Sequence, residues 1–241
     1  IEVQVLGDTH GNVVHLFERE CSLQRRFQKV VEEAPSPTLS ADERERICEV
    51  AAGIARAAGY VGAGTVEFIY GRGEFYFLEM NTRIQVEHPV TEEITGTDLI
   101  AEQLRVAAGE PLGYGQDALA INGHAIEVRV YAEDAARDFA PTTGPLLTMI
   151  PPGGAGVRID SGVEQGGAVT AAFDPMIAKL IVHAANREAA LDKADAALAD
   201  FVILGCRTNI AYLRRLLADP DVRAGAIHTG LIGEKPELAA D

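Results

Sequence analysis

Residues 65–80 hold two β-prone runs, Thr-Val-Glu-Phe-Ile-Tyr and Glu-Phe-Tyr-Phe-Leu-Glu-Met, parted only by Gly71-Arg72-Gly73. A Gly-containing connection that short closes an antiparallel hairpin. With 71–73 as the loop, Tyr70 pairs with Glu74, Glu67 with Phe77 and Thr65 with Glu79. Glu67 and Glu79 then share a face as diagonal neighbours, with Cβ atoms roughly 7 to 8 Å apart. Val66, Phe68, Tyr70, Tyr76, Leu78 and Met80 form the opposite, apolar face, which packs on a core.

The alternation runs on past Met80. Asn81, Arg83, Gln85 and Glu87 occupy every second position, with Thr82, Ile84, Val86 and His88 between them. In an extended strand those four polar groups extend the face that carries Glu67 and Glu79, at a spacing of about 6.6 to 6.8 Å. Two Glu and one Asn are hard oxygen donors suited to Mg²⁺ or Mn²⁺, which leave coordination positions to substrate phosphates. An Arg with a Glu four residues later offers a fork for an oxyanion and a base beside it. The alternative is a solvated edge face, but such faces favour Lys and Thr and this one carries no Lys.

The rest of the chain sets limits. Its 241 residues, 47% of them apolar, suffice for a sizeable core and more readily for two compact units than one. A net charge of -15 argues against a nucleic-acid partner. No apolar run approaches the ~20 residues of a membrane span, and no signal peptide is seen. Cys21, Cys48 and Cys206 lie far apart without metal or redox spacing, as expected of thiols in a reducing cytoplasm. Gly153-Gly-Ala-Gly156 lacks the spacing and the following helix of a dinucleotide fingerprint and reads as a turn. His10, His15, His183 and His228 are isolated. Lys179 reads as a strand-end residue, and His88, off the ladder before Pro89, as a loop-holding hydrogen bonder.

Ile1–Leu6 reads as a strand that opens the chain without an initiating Met, as expected of a piece of a longer polypeptide. Ser40-Ala-Asp-Glu43 is a capping box, and Ile47, Val50, Ala51, Ile54, Ala55 and Ala58 recur at helical spacing until Gly59. A second helix is expected over 98–108 with Thr97 as its cap candidate and Gly109 beyond its end. Turn formers over 110–122 mark a boundary. Beyond it, strands are expected over 124–131, 146–150, 157–160 and 176–182, and helices over 187–201 and 209–218. The domains predicted are 1–115, 120–233 and a tail or linker, 234–241.

Four blocks carry a family resemblance: Cys21-Ser-Leu-Gln-Arg-Arg-Phe-Gln-Lys-Val-Val-Glu-Glu-Ala-Pro35, Gly64-Thr-Val-Glu67, Phe77-Leu-Glu-Met-Asn-Thr-Arg-Ile-Gln-Val-Glu-His-Pro-Val-Thr-Glu92 and His124-Ala-Ile-Glu-Val-Arg-Val-Tyr-Ala-Glu-Asp134. They resemble biotin carboxylase, an ATP-grasp ligase, in order and over essentially the whole chain. The resemblance implies an α+β fold: the C-terminal part of an ATP-grasp domain, then the biotin carboxylase C-terminal domain. It implies ATP with Mg²⁺ or Mn²⁺, bicarbonate as substrate and biotin as carboxyl acceptor. Glu67, Glu79 and Asn81 match the metal ligands, and Arg83 the bicarbonate arginine, with Gln85 and the backbone of Val86 beside it. Glu87 matches the base that deprotonates bicarbonate, and Arg129 the arginine that stabilises the biotin enolate. Lys29 and Gln24 sit where the family contacts nucleotide and carboxyphosphate. Phe27 stands where many members have His.

The family's N-terminal domain, its glycine-rich ATP lid and an ATP-binding Lys would precede Ile1, so the chain alone is expected to be inactive. Implied partners are a biotin carboxyl carrier domain or protein, a second copy in a homodimer and a carboxyltransferase subunit. The stretches Gly162-Val-Glu-Gln-Gly-Gly and Phe173-Asp-Pro-Met-Ile-Ala-Lys-Leu favour an acyl-CoA carboxylase α-chain over pyruvate carboxylase. Another ATP-grasp ligase and a non-catalytic dimerisation or carrier-docking fragment stand as alternatives.

Overall fold

The computed structural model describes every residue except 171, 173 and 241. The chain divides into two compact units, residues 1–21 with 33–125 and residues 22–32 with 126–241. The turn formers over 110–122 predict a single unit over 1–115, but residues 22–32 group with the second unit.

In the first unit, β1 (Glu2–Gly7) pairs antiparallel with β2 (Val13–Arg25). The strand β3 (Gln28–Ala34), of which residues 28–32 fall in the second unit, follows β2 across a turn at Arg26 and Phe27, both in the left-handed region at φ 51° and 66°. Apolar alternation is absent from residues 13–34, where charges fall on both faces, and strands form there nonetheless. Helix α1 (Ala41–Ala57) begins at the expected capping box: Ser40 Oγ accepts the Glu43 N–H, and Glu43 Oε2 accepts the Ser40 N–H at 2.9 Å. Strands β4 (Gly62–Gly71) and β5 (Glu74–Asn81) form the hairpin, in the order β2-β1-β4-β5.

The hairpin register differs from the expected one. Gly71 pairs with Glu74, Tyr70 with Phe75 and Phe68 with Phe77, and then the ladder slips so that Glu67 faces Glu79 and Thr65 faces Asn81. The extra residue is Leu78, a β-bulge, which re-aims the side chains beyond it. Phe75 therefore packs on the core in place of Tyr76, and Tyr76 and Leu78 are exposed. A second bulge lies in β2, where Val3 pairs with Glu18 but Val5 with His15, and Phe17 takes a φ of 65°.

The two faces of this sheet differ. Val3, Val5, Val66 and Phe68 meet Ile47, Cys48, Ala51 and Ala55 of α1. On the other face, Leu6, Val14 and Ala63 are covered by Leu99 and Val106 of a later helix. That helix, α3 (Leu99–Ala107), follows α2 (His88–Thr95); its cap is Asp98, whose carboxylate accepts the Ala101 N–H, rather than the expected Thr97. Asp8 ties the loop after β1 to a distant segment, accepting the N–H groups of His10, Asn12 and Leu112 and the Asn12 side chain.

In the second unit, β6 (His124–Tyr131) lies beside Met176–Ala184, which pairs antiparallel with Val157–Ser161. Helices α4 (Arg187–Asp200) and α5 (Ile210–Ala218) complete a core that includes Ile126, Val128, Leu180, Leu191, Leu198 and Leu213. The expected tail is anchored: Lys235 pairs with Asp219 and Asp221, and Arg215 Nε donates to Leu238 O at 2.7 Å; Asp241 lies outside the described residues. No helix among the described residues is long and apolar enough to cross a membrane.

Ile47 is fully buried under the first sheet. Ile47→Ala should cost about 2–5 kcal/mol and Ser40→Ala about 1 kcal/mol in urea denaturation. Burial raises the Asp8 pKa, but the hydrogen bonds from Asn12, Leu112 and His10 outweigh it and hold the group at about 2, below the ordinary 3.8. A depressed folded pKa stabilises the fold above the ordinary value, and this stabilisation is lost as pH falls from 3.8 through about 2. The urea midpoint of the wild type should therefore drop across that window. Asp8→Asn, weaker at neutral pH, should show a smaller drop.

Candidate functional site

The polar face of the first unit is built of cross-strand rows. Arg19 on β2 faces Glu2 on β1, Glu2 faces Glu67 on β4, and Glu67 faces Glu79 on β5. The next row runs Gln4, Thr65, Asn81. Directly opposed residues point to one side of a sheet, so two bulged strands and a hairpin bring these groups together.

Glu67, Glu79 and Asn81 meet as expected. Asn81 Nδ2 donates to Glu67 Oε1 at 2.7 Å and to Glu79 Oε1 at 3.4 Å. The positive end of the amide thus sits between two carboxylates, where a cation would be attracted. Two carboxylates and an amide oxygen are a hard donor set, so these residues fit Mg²⁺ or Mn²⁺.

The ladder beyond Asn81 is not a strand. The β-structure ends at Asn81, and Glu87 precedes the first turn of α2, whose second residue is Pro89. Arg83 is exposed and donates to Ile84 O and Asn81 Oδ1 at 3.1 and 3.3 Å. Gln85 still reaches the carboxylates, buried, with Nε2 donating to Glu67 Oε1 at 2.9 Å. Val86 is exposed. The His88 ring Nδ1 lies 2.8 Å from Gln85 O, which holds the turn. Glu87 is buried, with a carboxylate oxygen within 4.8 Å of a Glu2 oxygen and of Cys21 Sγ.

Two residues of this face escape sequence reasoning. Arg19 is fully buried and bonds Gln4, Thr91, Thr65 and Gln85, with Glu2 3.8 Å away. Glu2 joins it through strand pairing alone. The available signal is Glu18-Arg19-Glu20, a charge triplet with apolar Leu16 and Phe17 before it and Cys21 and Leu23 after it, and no turn former within it.

In the second unit, Arg129 is nearly buried and its Nε donates to Glu32 Oε1 at 2.7 Å. Asn209 supports the same strand, donating to Arg129 O and accepting from Tyr131 N–H, both at 2.9 Å. Burial pushes the neighbouring Tyr131 phenol upward. Lys29 is half-buried on β3, and Gln24 borders a cavity of about 460 Å³ that Arg25, Phe139 and Tyr212 also line. Phe27 is 97% exposed at the β2–β3 turn.

Residues 1–114 match the family model described as the ATP-binding domain of the carbamoyl-phosphate synthase L chain, and residues 127–234 match the biotin carboxylase C-terminal domain. The first of these models and the hairpin fold define the class, the C-terminal part of an ATP-grasp domain. The chain belongs to the biotin carboxylase family. It is 52% identical over 234 residues to the alpha chain of rat mitochondrial methylcrotonoyl-CoA carboxylase, covering 96% of this chain and 33% of that protein. It is 50% identical to a pyruvate carboxylase component of Methanothermobacter thermautotrophicus, covering 97% and 48%. Among solved structures, the biotin carboxylase domain dimer of Hydrogenobacter thermophilus 2-oxoglutarate carboxylase, in complex with MgADP, ADP and bicarbonate, superimposes with a TM-score of 0.96 at 46% identity, covering 99% of this chain and 53% of that one. The chain thus spans from 33% to 53% of the length of these relatives.

Removing one member of a buried ion pair leaves the other charge uncompensated. Glu32→Gln should therefore lower stability by roughly 3 kcal/mol in urea denaturation, whereas Asp195→Asn, which breaks the exposed pair of Asp195 with Arg214 Nε at 2.7 Å, should stay within about 1 kcal/mol of wild type.

Proposed function

We propose that the chain forms part of a biotin carboxylase that uses Mg²⁺- or Mn²⁺-bound ATP and bicarbonate to carboxylate biotin. The observation that carries this reading is the convergence of Glu67, Glu79 and Asn81, with Gln85 on the same carboxylate. The H. thermophilus relative, whose structure holds MgADP and bicarbonate, supports the ligand set.

Glu67, Glu79 and Asn81 would hold the cation, which neutralises phosphate charge when bound. Arg83, with Gln85 and the Val86 N–H, positions bicarbonate. Glu87 takes the bicarbonate proton, so that the oxygen can attack the γ-phosphorus and release ADP, giving carboxyphosphate. Gln24 and Lys29 contact nucleotide and carboxyphosphate. Carboxyphosphate breaks down to CO₂ and phosphate, the phosphate takes the biotin N1 proton, and Arg129 stabilises the resulting enolate oxygen. The Glu32 carboxylate holds the Arg129 guanidinium in place for that task.

The acyl-CoA carboxylase α-chain type is the reading favoured for the whole protein, supported by 52% identity to the methylcrotonoyl-CoA carboxylase alpha chains of rat and rice. Of the stretches that favour it, Phe173 lies outside the described residues. The partners this reading requires are a biotin carboxyl carrier, a second copy of the chain and a carboxyltransferase subunit.

The test joins the chain to the N-terminal portion its relatives carry and follows phosphate release from Mg-ATP, with and without bicarbonate and free biotin. Release should require both co-substrates, and the chain alone should give none. Glu87→Gln and Arg129→Ala should each lower it at least about a hundredfold. Release that ignores biotin, or normal turnover in the variants, rejects the assignment.

A further inference from the structure

Arg19 takes no part in the proposed reaction, yet its side chain makes four hydrogen bonds to other side chains. It is fully buried. Nη1 donates to Gln4 Oε1 at 2.8 Å and Thr91 Oγ1 at 3.0 Å, and Nη2 to Thr65 Oγ1 at 3.1 Å and Gln85 Oε1 at 2.8 Å. Its own strand is β2, so a single guanidinium joins β1, β2, β4, the segment after β5, and α2.

The chemistry at Gln85 is directional. A guanidinium only donates and a carboxylate only accepts, whereas a carboxamide has one end for each. With Arg19 on one side and Glu67 on the other, the Gln85 oxygen has to face Arg19 and its nitrogen Glu67. The flipped amide would set N–H₂ against guanidinium and C=O against carboxylate, leaving both contacts repulsive, the one to Arg19 fully buried. The bond from Gln85 and the bond from Asn81 both fall on Glu67 Oε1, so neither takes Oε2. The same rule orients Gln4, whose Nε2 is directed to Gly64 O at 2.9 Å.

We propose that Arg19 is a positioning residue that acts through Gln85: it locks the carboxamide in one orientation, which turns Glu67 so that Oε2 is presented to the divalent cation and keeps Gln85 set for bicarbonate. The bicarbonate half of this proposal rests on the biotin carboxylase reading; the cation half rests on the geometry alone.

The experiment uses the chain joined to the N-terminal portion of its relatives, with Arg19→Lys, Arg19→Met, Gln85→Ala and the double variants. Mn²⁺ uptake in the presence of ADP is followed by electron paramagnetic resonance, and KM is measured separately for bicarbonate and biotin. Lysine keeps the buried charge but lacks the fork, so Arg19→Lys carries the test if Arg19→Met does not fold. Arg19→Lys should weaken Mn²⁺ uptake and raise the bicarbonate KM about tenfold each, with the biotin KM within about twofold of wild type. In the Gln85→Ala background the same replacement should add less than about twofold, because the group it acts through is gone. Equal effects in both backgrounds, a loss confined to Tm and kcat, or a wild type that takes up no Mn²⁺ would overturn the proposal. A wild type whose phosphate release ignores bicarbonate defeats the biotin carboxylase reading instead, and the Mn²⁺ titration still decides the role of Arg19.

Discussion

A guanidinium withdrawn from water must be surrounded by acceptors, and in the first unit this requirement organises everything near Glu67. The acceptors that Arg19 finds are mostly neutral, two carboxamides and two hydroxyls, with the Glu2 carboxylate at the longer distance of 3.8 Å. Neutral acceptors leave much of the positive charge unspent, and a row of carboxylates across the sheet lies in its field. The strand order β2-β1-β4-β5 is therefore also an electrostatic order, with the cationic end at β2 and the anionic end at β5.

Arg129 in the second unit solves the same problem differently. It is paired with a carboxylate, Glu32, so its charge is compensated at contact distance. Arg19 holds a scaffold of neutral groups in place; Arg129 is itself held. The two arrangements suit an indirect role for one and a direct role for the other.

Much of this was legible in the sequence where local chemistry decides the outcome. The Ser40 capping box, the apolar spacing from Ile47 to Ala55 and the Gly-bounded hairpin each declare themselves within a few residues. That Glu67, Glu79 and Asn81 share a face was legible because alternation places them there, although the expected partner of Glu67 was Phe77. The register was not, since Leu78 looks like any other strand residue and only the packing of Phe75 on the core reveals the bulge. The strand expected from Asn81 to Glu87 failed because a period of two survives in an irregular segment that ends in a helix cap. Residues 13–34 were opaque for the opposite reason. Glu18, Arg19, Glu20, Glu32 and Glu33 are all buried there, each bonded to partners distant in the chain, such as Arg44, Ser36 and His124. Burial of charge by long-range pairing leaves no periodic trace.

The bulge at Leu78 has a consequence for how this hairpin can vary in length. A ladder without slack passes every insertion or deletion along the strand, inverting all side chains on one side of the change. Here a residue lost from the tip, between Glu74 and Phe77, can be made good by drawing Leu78 into the ladder. Only the positions between the loss and the bulge then change face. Glu79, Met80 and Asn81 stay opposite Glu67, Val66 and Thr65. The tip is thereby uncoupled from the carboxylate row, and its loop is free to drift in size while Glu67, Glu79 and Asn81 keep their places.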